Sequence, residues 1–544
     1  MLSKLEEKRF EIRASTTQAA IDDENRIPTP PIGPVPSAYK QDQHPYLDLN
    51  CELDQQLFEV LSVPDYNEQP LVKYHAVIIG AGAAGLELAD FFLAYDKKVA
   101  LVEKNLVCGS DLTFSTVPTN IMNELGQVSK RLEQYAMLGI HAENLVTWSS
   151  AIKEMKLRRN RLVSRYNIRD MIERGLHVYR GEGIFTDKKH LRVGARNIQF
   201  ENCFICTGSK TKIPDIPGLI ETGFITPETL WSLSSLPLRI AIIGGGATGC
   251  ELAQILVNFG VQVWIIEKKQ YLLSNFDRTV SDFVENSLRQ QGVYCFNNSE
   301  PTSITATNDE KLINLTMGIQ LHCDEVLICA GNEPNTNIGL DVANVQYDDR
   351  RAIKVSKHFR TTNKRIFAVG DCIQESRGTW SQAVDQARMV GEYSRSKQEV
   401  TIVPKYPVYR INVNPSIAFI GRSKQELDTD KVKYETVVSD FQHSFKAIST
   451  ASTNGFIKLH VEEDNSQVVG AIICHENSAD LISEVALCVN HGLPLSALSM
   501  VAHSSNSLSN NIREIACRKS VLDLPSSKRK KLQHRTKEKV ISMQ

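Results

Sequence analysis

Long apolar runs, an excess of one charge and a dense set of cysteines are all missing from this 544-residue sequence. Without about 18 consecutive apolar residues, we do not expect a transmembrane helix. The 62 Lys and Arg balance the 63 Asp and Glu, which argues against nucleic acid or an anionic membrane surface as the main partner. Twelve scattered cysteines are too few for a disulfide-stapled scaffold. The charged N-terminal segment MLSKLEEKRFEIRAS lacks the apolar core of a secretory signal, so we expect a cytoplasmic, multidomain α/β protein.

The two ends of the chain differ in composition from the part between them. Five of the 20 prolines fall within residues 28–36, a pattern typical of extended or disordered chain. Residues 526–540, SSKRKKLQHRTKEKV, contain seven basic residues and a single acid, Glu538. A solvated tail is the favoured interpretation of this segment, with a docking or nucleic-acid contact as the alternative. We expect neither end to contribute to a core.

An internal repeat is the most informative feature between the two ends. The chain reads GAGAAGLELADFFLAYDKKVALVEK from Gly80 and GGGATGCELAQILVNFGVQVWIIEK from Gly244, with 10 of 25 aligned positions identical. Each copy follows a short apolar run, continues with a helical pattern and ends in a second apolar run that finishes at an acid, Glu103 or Glu267. The repeat therefore predicts the order strand, glycine turn, helix and strand, twice.

This order of elements is typical of dinucleotide binding. Two glycines permit a tight turn and close approach of a pyrophosphate to a helix N-terminus, and a third lets helix and strand pack closely. The acid at the end of the second strand accepts hydrogen bonds from a ribose diol. We therefore predict two dinucleotide sites, formed by Gly80, Gly82, Gly85 and Glu103 in the first copy and by Gly244, Gly246, Gly249 and Glu267 in the second.

Further motifs resemble, in order along the chain, those of the pyridine nucleotide-disulfide oxidoreductase family. The segments FICTGSKTKIPDIPG from Phe204, ICAGNEPNT from Ile328 and TTNKRIFAVGD ending at Asp371 resemble its nucleotide domains. The segments NPSIAFIGRSKQEL, GFIKLHVEED and VVGAIICHENSADLISEVAL resemble its dimerisation domain. The likeness extends from about Tyr74 to Cys517.

The resemblance implies the two cofactors and the assembly. FAD would bind the first fold, NAD(P)H the second, and two subunits would pair so that each lends residues to the other's active site. Beside the glycines and acids of the repeat, the family's motifs implicate Lys104, Thr207, Gly208 and Asp371 in FAD binding and Gly331 in NAD binding.

The expected fold class is α/β, with two Rossmann-like dinucleotide-binding domains, for FAD and for NAD, and an α+β C-terminal dimerisation domain. The expected boundaries are residues 1–72 for a proline-rich, partly disordered extension, 73–217 and 345–400 for a discontinuous FAD domain, 218–344 for the NAD(P) domain, 401–520 for the dimerisation domain and 521–544 for the basic tail.

The acid of the second copy bears on the choice of nicotinamide. Glu267 would bind the ribose diol of NADH and repel the 2′-phosphate of NADPH. Lys268 and Lys269 follow directly and could bind that phosphate. We therefore expect NADH, with NADPH as the alternative.

The family's disulfide relay is missing. Most members carry GGxCxxxxCxPSK, and the matching stretch here is CGSDLTFSTVPTN. The two redox cysteines fall on Asp111 and Thr116, and the final lysine falls on Asn120. Cys108 is the only cysteine between Cys51 and Cys203, so no CxxxxC pair can form there.

The family's acid/base dyad is also incomplete. Where members carry HPTxSE, this chain has VAHSSNSL, with His503 retained and Leu508 at the place of the glutamate. We expect His503 to be a structural histidine, with a role as catalytic acid/base as the weaker alternative. Cys203 and Cys206 form a CxxC on a predicted strand, where residues three apart point to opposite faces, so we expect no disulfide.

These observations predict an FAD-dependent NAD(P)H oxidoreductase that passes electrons to an acceptor without a disulfide relay. The acceptor would react directly at the flavin and could be oxygen, a quinone, a metal ion or a second nicotinamide. One alternative is a catalytically degenerate flavoprotein with a structural or regulatory role. The other is a flavin oxidase or peroxidase that uses the single cysteine Cys108.

Overall fold

The computed structural model describes residues 47, 51–62, 64–66, 73–135, 139, 146–164, 166, 168–307, 310–374, 376, 378–397 and 404–522. The proline-rich segment and the basic tail lie outside these residues, so the interpretation of both stays a prediction.

Helices and strands alternate through the first two thirds of the described chain. Its last third combines an antiparallel sheet with several helices. The helices are α1 (Glu52–Leu61), α2 (Ala83–Leu93), α3 (Gly109–Thr113), α4 (Thr116–Tyr135), α5 (Trp148–Val163), α6 (Ile168–Glu173), α7 (Leu219–Thr222), α8 (Ala247–Asn258), α9 (Arg278–Gln290), α10 (Trp380–Ser396), α11 (Lys424–Thr429), α12 (Phe445–Ser449), α13 (Ser478–His491), α14 (Leu495–Ser499) and α15 (Asn510–Leu522). The strands are β1 (Tyr74–Ile79), β2 (Val99–Glu103), β3 (Leu176–Arg180), β4 (Gly183–Phe185), β5 (His190–Val193), β6 (Arg196–Ile205), β7 (Ser209–Thr211), β8 (Arg239–Ile243), β9 (Gln262–Glu267), β10 (Tyr294–Asn297), β11 (Pro301–Thr307), β12 (Glu310–Leu315), β13 (Gln320–Cys323), β14 (Glu325–Ile328), β15 (Asn332–Pro334), β16 (Ile366–Ala368), β17 (Tyr409–Ile411), β18 (Ile417–Gly421), β19 (Tyr434–Asp440), β20 (Phe456–Glu462) and β21 (Val468–Cys474).

Two sheets carry the two copies of the repeat, the first mixed and the second parallel. The first has the order β3-β2-β1-β6-β5-β4, with β16 also paired to β6, and its strands β1, β2, β3, β6 and β16 run parallel. The second has the order β10-β9-β8-β14 and is parallel throughout. The C-terminal region has a five-stranded antiparallel sheet, β17-β18-β21-β20-β19. These sheets confirm the predicted α/β fold class.

The apolar runs that precede each glycine turn form central strands because both of their faces are covered. The side chains of β1 and β8 are buried along almost their whole length. Gly80 N donates to Val102 O at 2.8 Å, and Gly244 N donates to Ile266 O at 2.9 Å. The repeat in the sequence is therefore also a repeat in backbone pairing.

The expectation that the N-terminal end contributes nothing to a core is wrong for α1. Its side chains Leu57, Phe58 and Leu61 are buried. The buried Asp54 carboxylate pairs with Arg159 at 2.6 Å and with Lys156 at 2.7 Å, both on α5. A buried carboxylate is stable only with such partners, so α1 is joined to the first nucleotide fold. The sequence composition alone did not reveal these long-range ion pairs.

Candidate active site

The three repeat glycines of the first copy differ in what surrounds them. Gly80 has φ +102°, and a Cβ there would lie 2.4 Å from Cys206 O. A Cβ at Gly85 would lie 1.9 Å from Gly80 O, so helix α2 can approach the turn only without a side chain. At Gly82 the nearest atom would be the Gly109 Cα, 3.9 Å away. The first and third glycines are thus required by the fold, whereas the second leaves space for a ligand.

The second copy repeats this pattern. Gly244 has φ +116°, and a Cβ there would lie 2.2 Å from Cys329 O. A Cβ at Gly249 would lie 2.0 Å from Gly244 O. At Gly246 no atom lies within 4 Å of the Cβ position. Each helix N-terminus therefore meets open space at the residue predicted to approach a pyrophosphate.

The two acids of the repeat are held in the same way. Glu103 accepts from Ala81 N at 2.6 Å and Asn105 N at 2.7 Å. Glu267 accepts from Gly245 N at 2.7 Å and Lys269 N at 2.8 Å. Burial raises the pKa of Glu103, and its two backbone donors partly offset this rise. Both carboxylates are fixed at the mouth of their glycine turn, where a ribose would lie.

A cavity of about 720 Å³ opens beside the first glycine turn. Its volume is in the range of small-molecule and cofactor sites. Of the residues predicted for FAD it is lined by Gly80, Gly82, Glu103, Lys104, Thr207, Gly208 and Asp371. Gly85 does not line the cavity, because it packs against Gly80 of the turn and Ile78 of β1. The predicted FAD residues are therefore brought together, although their roles toward FAD stay predictions.

Asp371 lies in the same cavity and is fixed by two serines. Ser209 Oγ donates to Oδ2 at 3.3 Å, and Ser376 Oγ donates to Oδ1 at 2.9 Å. Helix α10 begins nearby, with Thr379 as its N-cap, and Thr379 also lines the cavity. The positive end of a helix thus faces the end of the cavity that holds Asp371.

The residues at the positions of the two family cysteines are in contact with each other, and the first of them lines this cavity. Asp111 on α3 lines the cavity, and Thr116 Oγ1 at the start of α4 donates a hydrogen bond to Asp111 Oδ1. Burial raises the pKa of Asp111, the Thr116 hydroxyl lowers it, and the negative Asp371 raises it again. The two side chains form a hydrogen bond between a hydroxyl and a carboxylate, which, unlike a disulfide, cannot be reduced.

The cysteines near the cavity are buried thiols. Cys108 and Cys206 both line it, and both are free. Burial, with the nearby Glu103 carboxylate, raises the pKa of Cys108 to about 12, and burial holds the pKa of Cys206 well above its usual value. Cys203 is a free thiol in the strand core, so no disulfide joins it to Cys206. A thiol is a poor nucleophile unless it ionises, so neither cavity cysteine is activated.

Cys108 also has an unusual backbone. Its φ is +81°, in the region where a side chain is strained. In the family's GGxC motif this position is a glycine, which adopts such a φ without strain. Cys108 thus holds a left-handed backbone at the position of the motif's first glycine.

The interpretation that His503 lacks a carboxylate partner is wrong. His503 Nε2 lies 2.8 Å from Glu484 Oε2 on α13, and both side chains are largely buried. Leu508, at the family's glutamate position, packs against the core of the C-terminal region. The carboxylate is therefore supplied 19 residues earlier in the chain, a contact that the sequence pattern did not indicate.

Glu251 is a further polar group that the motif analysis missed. It accepts from Asn412 N at 2.6 Å, and Asn412 Nδ2 donates at hydrogen-bond distance to Asn120 Oδ1, at the family's lysine position. Burial raises the pKa of Glu251 to about 7, partly offset by the Asn412 donor and by Arg410. One signal was available, because Glu251 and Glu87 are identical positions of the repeat.

Glu251 and its neighbours connect three regions of the molecule. Asn120 is on α4 of the first nucleotide fold, Glu251 is on α8 of the second, and Asn412 follows β17 of the C-terminal region. Asn123 Nδ2 also donates to Asn412 O at 2.9 Å. We call Asn120, Asn123, Glu251 and Asn412 the polar junction.

The comparisons with known proteins agree with this geometry. Residues 74–387 match the family described as pyridine nucleotide-disulphide oxidoreductase, and residues 410–516 match its dimerisation domain. The chain belongs to this family. The mercuric reductase of Staphylococcus aureus is 26% identical over 437 residues, 78% of this chain and 79% of that protein. The dihydrolipoyl dehydrogenase of Mycoplasma pneumoniae is 25% identical over 462 residues, 83% of this chain and 99% of that protein.

A soluble relative and a solved structure extend the comparison. The soluble pyridine nucleotide transhydrogenase of Photorhabdus laumondii is 26% identical over 425 residues, 76% of this chain and 90% of that protein. A Cu(II) complex of the HOCl-induced flavoprotein disulfide reductase RclA from Escherichia coli is 26% identical and matches with a TM-score of 0.74. That match covers 82% of this chain and 99% of the other.

Membership establishes the cofactors and the reaction class. The family consists of FAD-dependent pyridine nucleotide oxidoreductases, and it binds FAD and NAD(P)H. The open space at Gly82, the cavity beside it and the fixed Glu103 fit FAD. The dimerisation domain indicates a homodimer. In the described part of the chain, no helix is long and apolar enough to cross a membrane.

Proposed function

We propose that this protein is an NAD(P)H oxidoreductase that reduces an acceptor directly, without a disulfide relay. The observation that carries the proposal is the contact between Asp111 and Thr116 at the two positions of the family's redox cysteines. When bound, FAD supplies the group that takes two electrons from the nicotinamide and passes them on. The chain positions the two partners of that transfer.

The residues of the two turns have separate roles in this proposal. Gly82 and Gly246 leave room for the two pyrophosphates, and Glu103 and Glu267 accept from the ribose hydroxyls. Lys104, Thr207, Gly208 and Asp371 complete the FAD site, and Gly331 borders the nicotinamide site. Lys269 Nζ donates to Asn275 Oδ1 at 3.0 Å, which leaves the exposed Lys268 as the better partner for a 2′-phosphate. We propose NADH as the preferred donor.

The proposed protein is a homodimer with the domain boundaries given above. Large apolar side chains are exposed on the C-terminal region of the isolated chain. They are Val438, Phe445, Ile448, Leu487 and Met500. The match of residues 410–516 to the dimerisation domain supports pairing through this region, and we propose these side chains as candidates for the interface.

The single-cysteine alternative is disfavoured by burial. A peroxidase or oxidase mechanism through Cys108 needs its thiolate, and the pKa of about 12 keeps the thiol protonated at neutral pH. The degenerate alternative is disfavoured by the intact second turn, since a structural flavoprotein has no need for open space at Gly246.

The decisive experiment counts electrons. Purified protein, loaded with one FAD per chain, is titrated anaerobically with dithionite. We expect two electrons to bleach the flavin fully, without the long-wavelength band that a neighbouring thiolate produces. Arsenite, which binds vicinal dithiols, should not inhibit, and lipoamide and glutathione disulfide should not be reduced. Uptake of four electrons with a thiolate band would overturn the proposal.

A further inference from the structure

We propose that Asp111 is the catalytic acid that donates a proton to the acceptor, and that the acceptor is one whose oxygen becomes protonated on two-electron reduction. This inference rests on the proposed function and deepens it. The reaction balances as NADH + H⁺ + quinone → NAD⁺ + hydroquinone, or NADH + H⁺ + O₂ → NAD⁺ + H₂O₂. Asp111 supplies the H⁺ and regains it from solvent.

The position of Asp111 is the first support. It lies in the wall of the 720 Å³ cavity, at the sequence position of the first cysteine in the family's CxxxxC motif. The other carboxylates of the proposed FAD site are engaged by two donors each: Glu103 by backbone amides and Asp371 by serines. Asp111 has one donor, Thr116. Within the described chain its second carboxylate oxygen has no hydrogen-bond partner, so it can carry a proton toward a bound molecule.

The electrostatics of Asp111 are the second support. Burial and the negative Asp371 raise its pKa, so the acid form persists closer to neutral pH than for an exposed aspartate. The charged groups that line the same cavity are Glu103, Lys104, Glu182, Lys210, Lys212, Glu333, Asp349, Arg350, Arg351 and Asp371. A general acid works best when its pKa is near the working pH.

This proton requirement separates the acceptor classes. A quinone or dioxygen gains protons at oxygen when it takes two electrons. A second nicotinamide takes a hydride and needs no further proton, and ferricyanide takes one electron and no proton. An acid in the wall of the cavity therefore benefits the first class alone.

The test compares wild type with Asp111→Asn, using NADH with 1,4-benzoquinone, dioxygen or ferricyanide. We expect the ratio of quinone rate to ferricyanide rate to fall by about 100-fold in Asp111→Asn, within the range of general acid catalysis. Asp111→Glu should restore part of the ratio. Asp464→Asn, which removes an exposed carboxylate of the C-terminal region that does not line the cavity, should leave it unchanged. In the dioxygen arm, a fall like that with quinone would show that Asp111 also protonates reduced oxygen, whereas an unchanged dioxygen rate would restrict the proposed acceptor to quinones.

Thr116→Val provides a second, opposite test. Because the Thr116 hydroxyl stabilises the carboxylate, its removal raises the pKa of Asp111. In wild type the quinone-to-ferricyanide ratio should fall as the pH rises through that pKa. In Thr116→Val the fall should move to higher pH, and in Asp111→Asn it should vanish.

A measurement without turnover completes the design. The midpoint potential of the bound flavin, followed against pH, should change slope at the pKa of Asp111 in wild type and lose that change in Asp111→Asn. Equal quinone-to-ferricyanide ratios and unchanged potential profiles in wild type and Asp111→Asn would overturn the role of Asp111. Failure of NADH to reduce wild-type flavin at all would instead overturn the proposed function.

Discussion

The two glycine turns share their backbone pairing, their steric limits and their fixed acids, whereas residues 108–120 align with the family's disulfide segment but lack its cysteines. In the turns, Gly80 and Gly244 are required by close carbonyl contacts, so the fold itself restricts what can replace them. In the segment, Asp111 and Thr116 occupy the cysteine positions and meet through a hydrogen bond. The difference teaches that close backbone contacts fix the glycines of the two turns, whereas the side chains at positions 111 and 116 differ from the family's cysteines within the same fold.

The largest expected effect comes from blocking the two glycine turns one at a time, since each should abolish the binding of a different nucleotide. Gly82→Trp should yield colourless protein, because its side chain fills the space of the FAD pyrophosphate. Gly246→Trp should stay yellow and lose reduction by NADH, since only the nicotinamide turn is blocked. The FAD content is measured by absorbance, and reduction is followed by anaerobic mixing with NADH. One FAD per chain in Gly82→Trp would refute the assignment of the first turn.

The second prediction rebuilds the missing relay. Asp111 and Thr116 occupy the positions of the family's two redox cysteines and their side chains are in contact, so we expect cysteines at both positions to form a disulfide. The variant Asp111→Cys/Thr116→Cys should take up four electrons per FAD in a dithionite titration, against two for wild type. The double variant should also be inhibited by arsenite, which wild type should not be.

Thr116→Cys alone is the matched control and should take up two electrons per FAD. A double variant that takes up two electrons, with a disulfide shown by thiol counting, would mean that residues 111 and 116 lie out of reach of the flavin.

The glycine turns and the remaining parts of the candidate site differ in how much of their structure could be predicted from the sequence. The glycine turns were predictable because their constraints are local: a tight turn, a helix start and an acid 23 positions on, found twice. The absence of cysteines at positions 111 and 116 was visible because residue spacing can be read directly from the sequence. The partner of His503 was not, since Glu484 comes from a neighbouring helix rather than from the motif.

The same limit applies to the N-terminal end and to the polar junction. The ion pairs of Asp54 join residues about a hundred positions apart, and composition carries no signal for them. Glu251 and Asn412 meet only when the second nucleotide fold contacts the C-terminal region. Side chains that connect regions are fixed by tertiary packing, which periodicity and spacing do not report.

The third prediction concerns the stability of the polar junction. The pKa of Glu251 is raised from 4.5 to about 7 by burial, so the unfolded chain releases a proton that the folded chain retains between these values. Stability should therefore fall as the pH rises from about 4.5 to 7, by at most about 3 kcal/mol at 1.36 kcal/mol per pKa unit. Glu251→Gln keeps an acceptor for Asn412 N and cannot ionise, so it should remove this part of the fall.

Melting temperatures at pH 5 and pH 8 check this. The melting temperature of Glu251→Gln should be higher than that of wild type at pH 8 and close to it at pH 5. Glu251→Ala, which leaves Asn412 N without its acceptor, should be less stable than Glu251→Gln at both pH values. The same decline in Glu251→Gln and wild type would show that Glu251 is not the titrating group.

The smallest expected effect concerns the choice of nicotinamide at the second turn. Glu267 is fixed by two backbone donors, so its charge stays where a 2′-phosphate would lie. Glu267→Ala should narrow the preference for NADH over NADPH by about tenfold, equivalent to about 1.4 kcal/mol. The quantity to compare is kcat/KM for flavin reduction by each nucleotide. Lys268→Ala should widen the preference, because it removes the exposed cation nearest the acid in sequence, whereas Lys269→Ala should change it less, since that ammonium is already bound to Asn275. Equal rates with both nucleotides in wild type would mean that Lys268, rather than Glu267, decides which nicotinamide binds.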